Sequence, residues 1–126
     1  MKPKACRVII EGEHGCETRG LLHDNAEDGS FKVSFRYEGD SVDVELVPGG
    51  VHYARRGRQY VDVVYAAGKW TLCRIGTGPL AGEFEVYTER ADIARNNGRT
   101  ELEVVYSSGA PAKEKYTVKM SICVGE

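Results

Sequence analysis

The sequence has 126 residues, of which 41% are hydrophobic and 29% are charged, and its 17 basic and 19 acidic residues give a formal net charge of -2. This length suits one domain with one hydrophobic core, so we expect a single domain over residues 1–126 with the composition of a globular protein. The charge balance argues against a general binder of nucleic acids or anionic membranes, which needs a basic surplus on one face.

Ten short runs along the chain alternate between apolar and polar residues. In one of them Val33, Phe35 and Tyr37 alternate with charged and polar neighbours, and turn sequences such as Asn97-Gly98 separate the runs. A period of two with β-branched and aromatic residues is typical of strands buried on one face, and Asn-Gly is a strong hairpin signal. The pattern predicts strands over residues 4–13, 17–24, 30–37, 40–47, 50–56, 59–66, 69–76, 81–90, 98–107 and 114–124.

These runs predict an all-β fold without helices. Short hairpins between successive strands indicate a closed antiparallel up-and-down β-barrel of eight to ten strands, like the calycin or lipocalin barrels. With ten strands the first and last run antiparallel, so they can pair and close the barrel. A barrel of this size either holds one small ligand or is filled by its own side chains, and the sequence leaves both possibilities open.

The N-terminal segment and the cysteines indicate the compartment. The chain has neither an apolar run of about 18 residues nor the apolar segment and cleavage site of a signal peptide, so we expect a cytoplasmic protein without membrane association. Its four cysteines form no Cys-x-x-Cys pair and are most simply free thiols in a reducing compartment, although a disulfide stays open. They are Cys6, Cys16, Cys73 and Cys123.

Four segments resemble a known family. They are Val51-His52-Tyr53-Ala54-Arg55-Arg56-Gly57, Ala67-Gly68-Lys69, Phe84-Glu85-Val86-Tyr87-Thr88, and the strand from Gly98 that includes Leu102-Glu103-Val104-Val105-Tyr106. In their spacing of strands and turns, residues 30–124 resemble the YwiB-like family of small bacterial proteins. The resemblance implies a calycin-type barrel and a bacterial cytosolic setting, and it implies no activity.

A ligand site is predicted from arginines that continue the apolar phase of their strands. Arg55 and Arg74 are expected near the same end of the barrel, about 10 Å apart at the backbone, while Arg90 is expected at the opposite end. Two long side chains at the barrel mouth could share one carboxylate or phosphate, although arginines at strand ends also extend into water. The remaining predicted contacts are aromatic: Tyr53, Trp70 and Phe84 for an apolar part of the ligand, and Tyr106 and Tyr116, with Tyr37, at the entrance.

Other chemistries have weaker signals. The sequence contains no nucleophile-elbow, zinc-protease or phosphate-loop motif, so we predict no enzyme and no cofactor. His14, Cys16 and His23 fit no standard metal spacing, so no metal site is predicted. Arg55, Arg56 and Arg58 could contact a phosphate backbone, but nucleic acid is not the expected partner.

Two functional hypotheses follow. The leading one is non-catalytic binding of a small, partly apolar, anionic ligand at the barrel mouth. The alternative is a protein-interaction or homo-oligomeric module with a filled barrel and no small-molecule ligand. Its surface is expected to use outward apolar residues, namely Ile9, Val47, Val64, Ile75 and Val105.

Overall fold

The computed structural model describes residues 3–11, 15–25, 29–108 and 114–124, and these residues form ten β-strands and no helix. None of them therefore belongs to a helix long and apolar enough to cross a bilayer. The strands are β1 Lys4–Glu11, β2 Cys16–Asn25, β3 Ser30–Tyr37, β4 Asp40–Val47, β5 Gly50–Arg56, β6 Gln59–Tyr65, β7 Lys69–Thr77, β8 Leu80–Asn96, β9 Arg99–Ser108 and β10 Lys115–Val124.

The strands close into one antiparallel barrel in which each strand pairs with its neighbours in sequence. Strand β1 also pairs with β10, with Val8 opposite Ile122, and this pairing closes the barrel. The predicted all-β, closed up-and-down barrel is confirmed, with ten strands. Asn97 and Gly98 both have positive φ, as the Asn-Gly hairpin signal requires.

Strand β8 is longer than predicted, because a bulge lets it continue past the expected end at Arg90. The register against β9 shifts between Thr88 and Arg90, and pairing then runs on to Asn96. The part of β8 before the bulge pairs with β7, whereas β9 pairs only from Val86 onward. The β7–β8 hairpin therefore projects beyond the end of β9, at the end of the barrel that carries the turn at residues 57–58, which we call the upper end.

The interior is filled by side chains from all ten strands. The main buried cluster contains thirteen residues from β1–β4, β5, β9 and β10, and the side chain of Ile122 is fully buried within it. A second, smaller cluster of Val63, Cys73 and Val86 lies beneath the β7–β8 hairpin. The part of the barrel that projects therefore has the thinner core.

Thr88 is a buried polar residue on the inner face of β8. Its side chain is fully buried, and its hydroxyl has no hydrogen-bond partner among the described residues. Because a valine has the same shape without the hydroxyl, Thr88→Val should raise the free energy of unfolding by about 1 kcal/mol. Thr71 is the matched control, since it lies on the same face of β7 but its hydroxyl donates to the Val64 carbonyl at 2.6 Å.

Denaturant unfolding of both variants checks this expectation. Thr71→Val should lower the unfolding midpoint, because it removes a hydrogen bond that is made. A loss of stability in Thr88→Val would contradict the assignment of an unpaired hydroxyl.

Candidate functional site

Arg55 faces the interior at the upper end, as predicted, but it is neutralised by its own chain. It is only 9% exposed, and its Nε donates to the Asp40 carboxylate at 2.7 Å. A second guanidinium nitrogen lies 3.4 Å from Glu38, and the guanidinium carbon lies 5.1 Å from the centre of the Tyr37 ring. The guanidinium of Arg55 therefore takes part in a buried ion pair at this end of the barrel.

Asp40 is the residue that fixes this arrangement, and the sequence prediction missed it. The side chain is almost fully buried, and it also accepts a hydrogen bond from the backbone N–H of Arg58 at 2.8 Å. The Arg55 hydrogen bond, followed by that of Arg58, holds the pKa of Asp40 below its usual value. The carboxylate therefore joins the β3–β4 turn to the β5–β6 turn.

The prediction that Arg74 and Trp70 face the interior is wrong. The side chain of Arg74 is 63% exposed on the outer face, where its Nε donates to Glu83 at 2.9 Å. Trp70 lies on the same outer face and contacts Tyr87 in a tilted arrangement, with the ring centroids 5.4 Å apart. The inner position on β7 belongs to Cys73, which is buried.

The register of the β7–β8 hairpin explains this inversion. Thr77 pairs with Leu80, so inward residues on β8 such as Val86 lie opposite Thr71 rather than Trp70 or Leu72. Arg55 and Arg74 consequently lie on opposite faces of the sheet. They cannot share one ligand, as the clamp hypothesis required.

The predicted inward position of Arg90 is also wrong. The bulge reverses the phase of β8, so Arg90 points outward and contacts Glu103 at 2.6 Å. Arg95 takes the inner phase instead, with its guanidinium carbon 4.8 Å from the Phe31 ring centre and a nitrogen 3.5 Å from Asp24. Each end of the barrel thus has an arginine over an aromatic ring of β3.

Part of the predicted aromatic site does come together. Tyr53 and Tyr106 pack against the smaller core cluster with Tyr65, whose ring is 5.0 Å from that of Tyr106. Tyr116 stacks on Tyr106 at 5.4 Å and is more exposed. Phe84 shares the inner face but lies on the projecting hairpin, 37% exposed. Ligand contact by these residues stays a prediction.

The stability of the folded protein should depend on pH through the tyrosines on the inner face. Burial raises the pKa values of Tyr53, Tyr65 and Tyr106. The unfolded chain therefore releases these protons at lower pH than the folded protein, and stability should be lost as pH rises above the unfolded value of about 10. Phenolate absorbance and circular dichroism during an alkaline titration should show buried tyrosines ionising together with unfolding, and Tyr65→Phe should move that transition. Ionisation of all seven tyrosines in folded protein would contradict this.

Three of the four cysteines lack the lowered pKa of a reactive thiol. All four are free, and burial is the main cause that raises the pKa values of Cys6, Cys16 and Cys73. A thiol with a raised pKa has little thiolate at neutral pH and is a poor nucleophile. His14 lies outside the described residues, and those that are described contain no cluster of three potential metal ligands.

The most prominent surface feature is apolar. Nine large hydrophobic side chains are exposed among the described residues, and six of them lie on β6, β7 and the first part of β8. We call these six the hairpin surface: Tyr60, Trp70 and Leu72 on the outer face, and Ile75, Leu80 and Phe84 on the inner face.

Most of the five outward apolar residues predicted from the sequence do not belong to the hairpin surface. Of these five residues only Ile75 is exposed, and it lies on the inner phase of the projecting hairpin. Val105 is buried because it lies opposite the β8 bulge, and Ile9, Val47 and Val64 are half-buried.

Surface concavities do not converge on the predicted ligand site. Four open depressions of about 310 to 650 Å³ are lined by described residues, and Arg55 lines none of them. One, of about 400 Å³, lies against the hairpin surface and includes Tyr60, Ile75 and Leu80. The position of this depression therefore favours a contact site at the hairpin surface over one in the barrel interior.

The fold defines a protein of the closed ten-stranded antiparallel barrel class. It is similar to the crystal structure of the ywiB protein from Bacillus subtilis, with a TM-score of 0.76 over 98% of this chain and 91% of that chain. The two sequences are 13% identical, so the similarity shows a YwiB-like fold and nothing further. No protein-family model and no curated protein matches the sequence.

Proposed function

We propose that the protein is a non-catalytic interaction module that associates with a second copy of itself through the hairpin surface. The supporting observation is that three adjacent strands expose large apolar side chains on both faces. A sheet normally buries at least one apolar face, and a clustered exposed patch marks an interaction site. Here Phe84 and Ile75 face inward above the last described pair between β8 and β9, and both side chains are exposed.

Binding of a small anionic ligand has less support. Arg55 already has Asp40 and Glu38 as partners, and Arg74 has Glu83. An anion at either arginine would have to displace a carboxylate of the same chain. For the buried Arg55 this would leave Asp40 without its charge partner in a site of low exposure, which is costly.

The YwiB-like fold supports two further parts of the proposal. We infer that the protein belongs to the YwiB-like family and to the wider calycin group, in keeping with the short segments that resemble that family. A bacterial cytoplasmic location is consistent with four free thiols, two of which are buried.

Sedimentation equilibrium tests the proposed association. Wild-type protein should form a species of twice the 13.9 kDa chain mass within a range of roughly 1 to 100 µM. Replacing an apolar contact by serine should weaken it, so Phe84→Ser or Leu80→Ser, both on the inner face of β8, should raise the dissociation constant at least about tenfold. Leu21→Ser is the matched control, because Leu21 is 48% exposed but lies on β2.

The control variant should associate like the wild type. A monomer throughout the concentration range would overturn the proposed function. Wild-type dissociation constants in both hairpin variants would overturn the assignment of the hairpin surface.

A further inference from the structure

In the part of the chain that the structure describes, the projecting part of β8 pairs on one side only. Residues Leu80–Glu85 pair with β7 on one side, whereas the last described pair between β8 and β9 joins Val86 to Ser108. Among the described residues, no strand covers the other side of Leu80–Glu85. An extended edge with exposed apolar side chains is a template for pairing with another strand.

The hairpin geometry fixes which backbone groups point to this edge. Thr77 and Leu80 close a two-residue turn with Gly78 at positive φ, and such a closing pair exchanges backbone hydrogen bonds. Because bonded and non-bonded pairs alternate, even-numbered residues of β8 direct their backbone groups toward β7. The Thr88 carbonyl confirms this direction, since it accepts from the Gly68 N–H at 2.7 Å on that side. The backbone N–H and C=O groups of Ala81, Glu83 and Glu85 therefore point to the open edge.

The sequence of this edge is complementary to itself about Gly82. In an antiparallel pair of two copies with Gly82 on the two-fold axis, Ala81 lies opposite Glu83 of the second copy, and these two residues exchange hydrogen bonds. Leu80 then lies opposite Phe84 of the second copy at a non-bonded position, where side chains are closest. Leu80 is 75% and Phe84 37% exposed in the single chain, so the pairing covers two side chains that its own fold leaves in water.

Other occupants and other registers fit less well. A two-fold axis at Glu83 would place two carboxylates directly opposite each other, which destabilises a strand pair. A second edge of β8, residues 89–96, has no described strand partner on the side of β7, but it carries the charged residues Arg90, Asp92 and Arg95, which protect edges against pairing. A cyclic dimer needs one self-complementary patch, and residues 80–84 supply it.

We infer that the chain forms a two-fold dimer in which the Leu80–Glu85 edges of two copies pair antiparallel about Gly82, joining the two barrels through one continuous sheet. This inference rests on the proposed self-association and specifies its geometry. It assigns a partner, a register and the residues that make the contact.

Disulfide trapping tests the register. In a background with Cys16→Ser and Cys123→Ser, Gly82→Cys places two thiols across the axis at a Cα separation of about 4.5 Å, within the range for a disulfide. A Cβ added at Gly82 meets no atom within 4 Å in the single chain, so the fold should tolerate the substitution. Ala81→Cys is the control, because its two copies lie about 8 Å apart on the other face of the sheet. Mild oxidation should give a covalent dimer with Gly82→Cys and not with Ala81→Cys.

A second variant covers the case in which the cysteine impairs folding. Ala81→Pro removes an N–H that points to the open edge, a place where strands tolerate proline, so it should keep the thermal midpoint while raising the dissociation constant at least about tenfold. A wild-type dimer that is neither trapped at position 82 nor weakened by Ala81→Pro would overturn the edge pairing and leave the proposed function standing. A wild type that is monomeric would overturn both.

Discussion

Asp40→Ala should lower the thermal midpoint of unfolding by about 10 °C. The substitution removes the partner of Arg55, a residue that is 9% exposed and whose guanidinium would stay buried with an uncompensated charge. The backbone N–H of Arg58 loses its acceptor as well. Calorimetry of the variant measures the effect. Glu38→Gln is the control, because Glu38 contacts the same arginine at 3.4 Å but is largely exposed, and it should change the midpoint by less than about 2 °C.

The same ion pair predicts a pH dependence with a definite sign. The folded pKa of Asp40 is lowered, mainly by the hydrogen bond from Arg55, so the folded protein holds this proton less tightly than the unfolded chain. Its contribution is complete above the unfolded carboxyl value of about 4 and is lost as pH falls through the lower folded value. The difference in thermal midpoint between wild type and Asp40→Asn should therefore be constant near neutral pH and shrink below about pH 4. An equal difference at low and neutral pH would contradict the role of the ion pair.

The fold could be predicted because its signals are local and repeated. Alternation in segments such as Val42–Leu46 and turn pairs such as Asn97-Gly98 specify strands and hairpins without any long-range information. An even number of antiparallel strands then brings β1 beside β10. The length of β8 was not predicted, because no local feature of the sequence indicates the bulge between Thr88 and Arg90.

The site was predicted less well, for two different physical reasons. The error on β7 was avoidable. Residues that face each other across the β7–β8 hairpin have one even and one odd number, so Val86 and Trp70 cannot both point inward. The neutralisation of Arg55 depends on side-chain contacts with Asp40 and Glu38, which lie 15 and 17 residues earlier in the chain, although an acidic residue in the phase of Val42 and Val44 was a signal that Asp40 is buried.

The exposure of the hairpin surface could not be predicted from the alternation of apolar and polar residues. Phe84 and Ile75 have the inward phase, and phase predicts burial only where the rest of the barrel lies opposite. The projection of β7 and β8 beyond β9 follows from the register of three successive hairpins. Each hairpin adds its own small offset to that register, so the sequence of no single segment determines it.

Ile122→Ala should lower the free energy of unfolding by about 3 to 4 kcal/mol and the thermal midpoint by about 10 to 15 °C. Ile122 is fully buried in the main cluster and lies opposite Val8 on one side and Thr100 on the other, so its removal leaves a cavity that the closed barrel cannot collapse. Ile122→Val, which removes one methyl group, should cost about 1 kcal/mol. Equal losses in the two variants in denaturant unfolding would contradict a tightly packed interior. Since residues Leu80–Glu85 of β8 lie outside this cluster, the folded fraction of Ile122→Ala should form the proposed dimer with the wild-type dissociation constant, which separates the stability of the barrel from the proposed self-association.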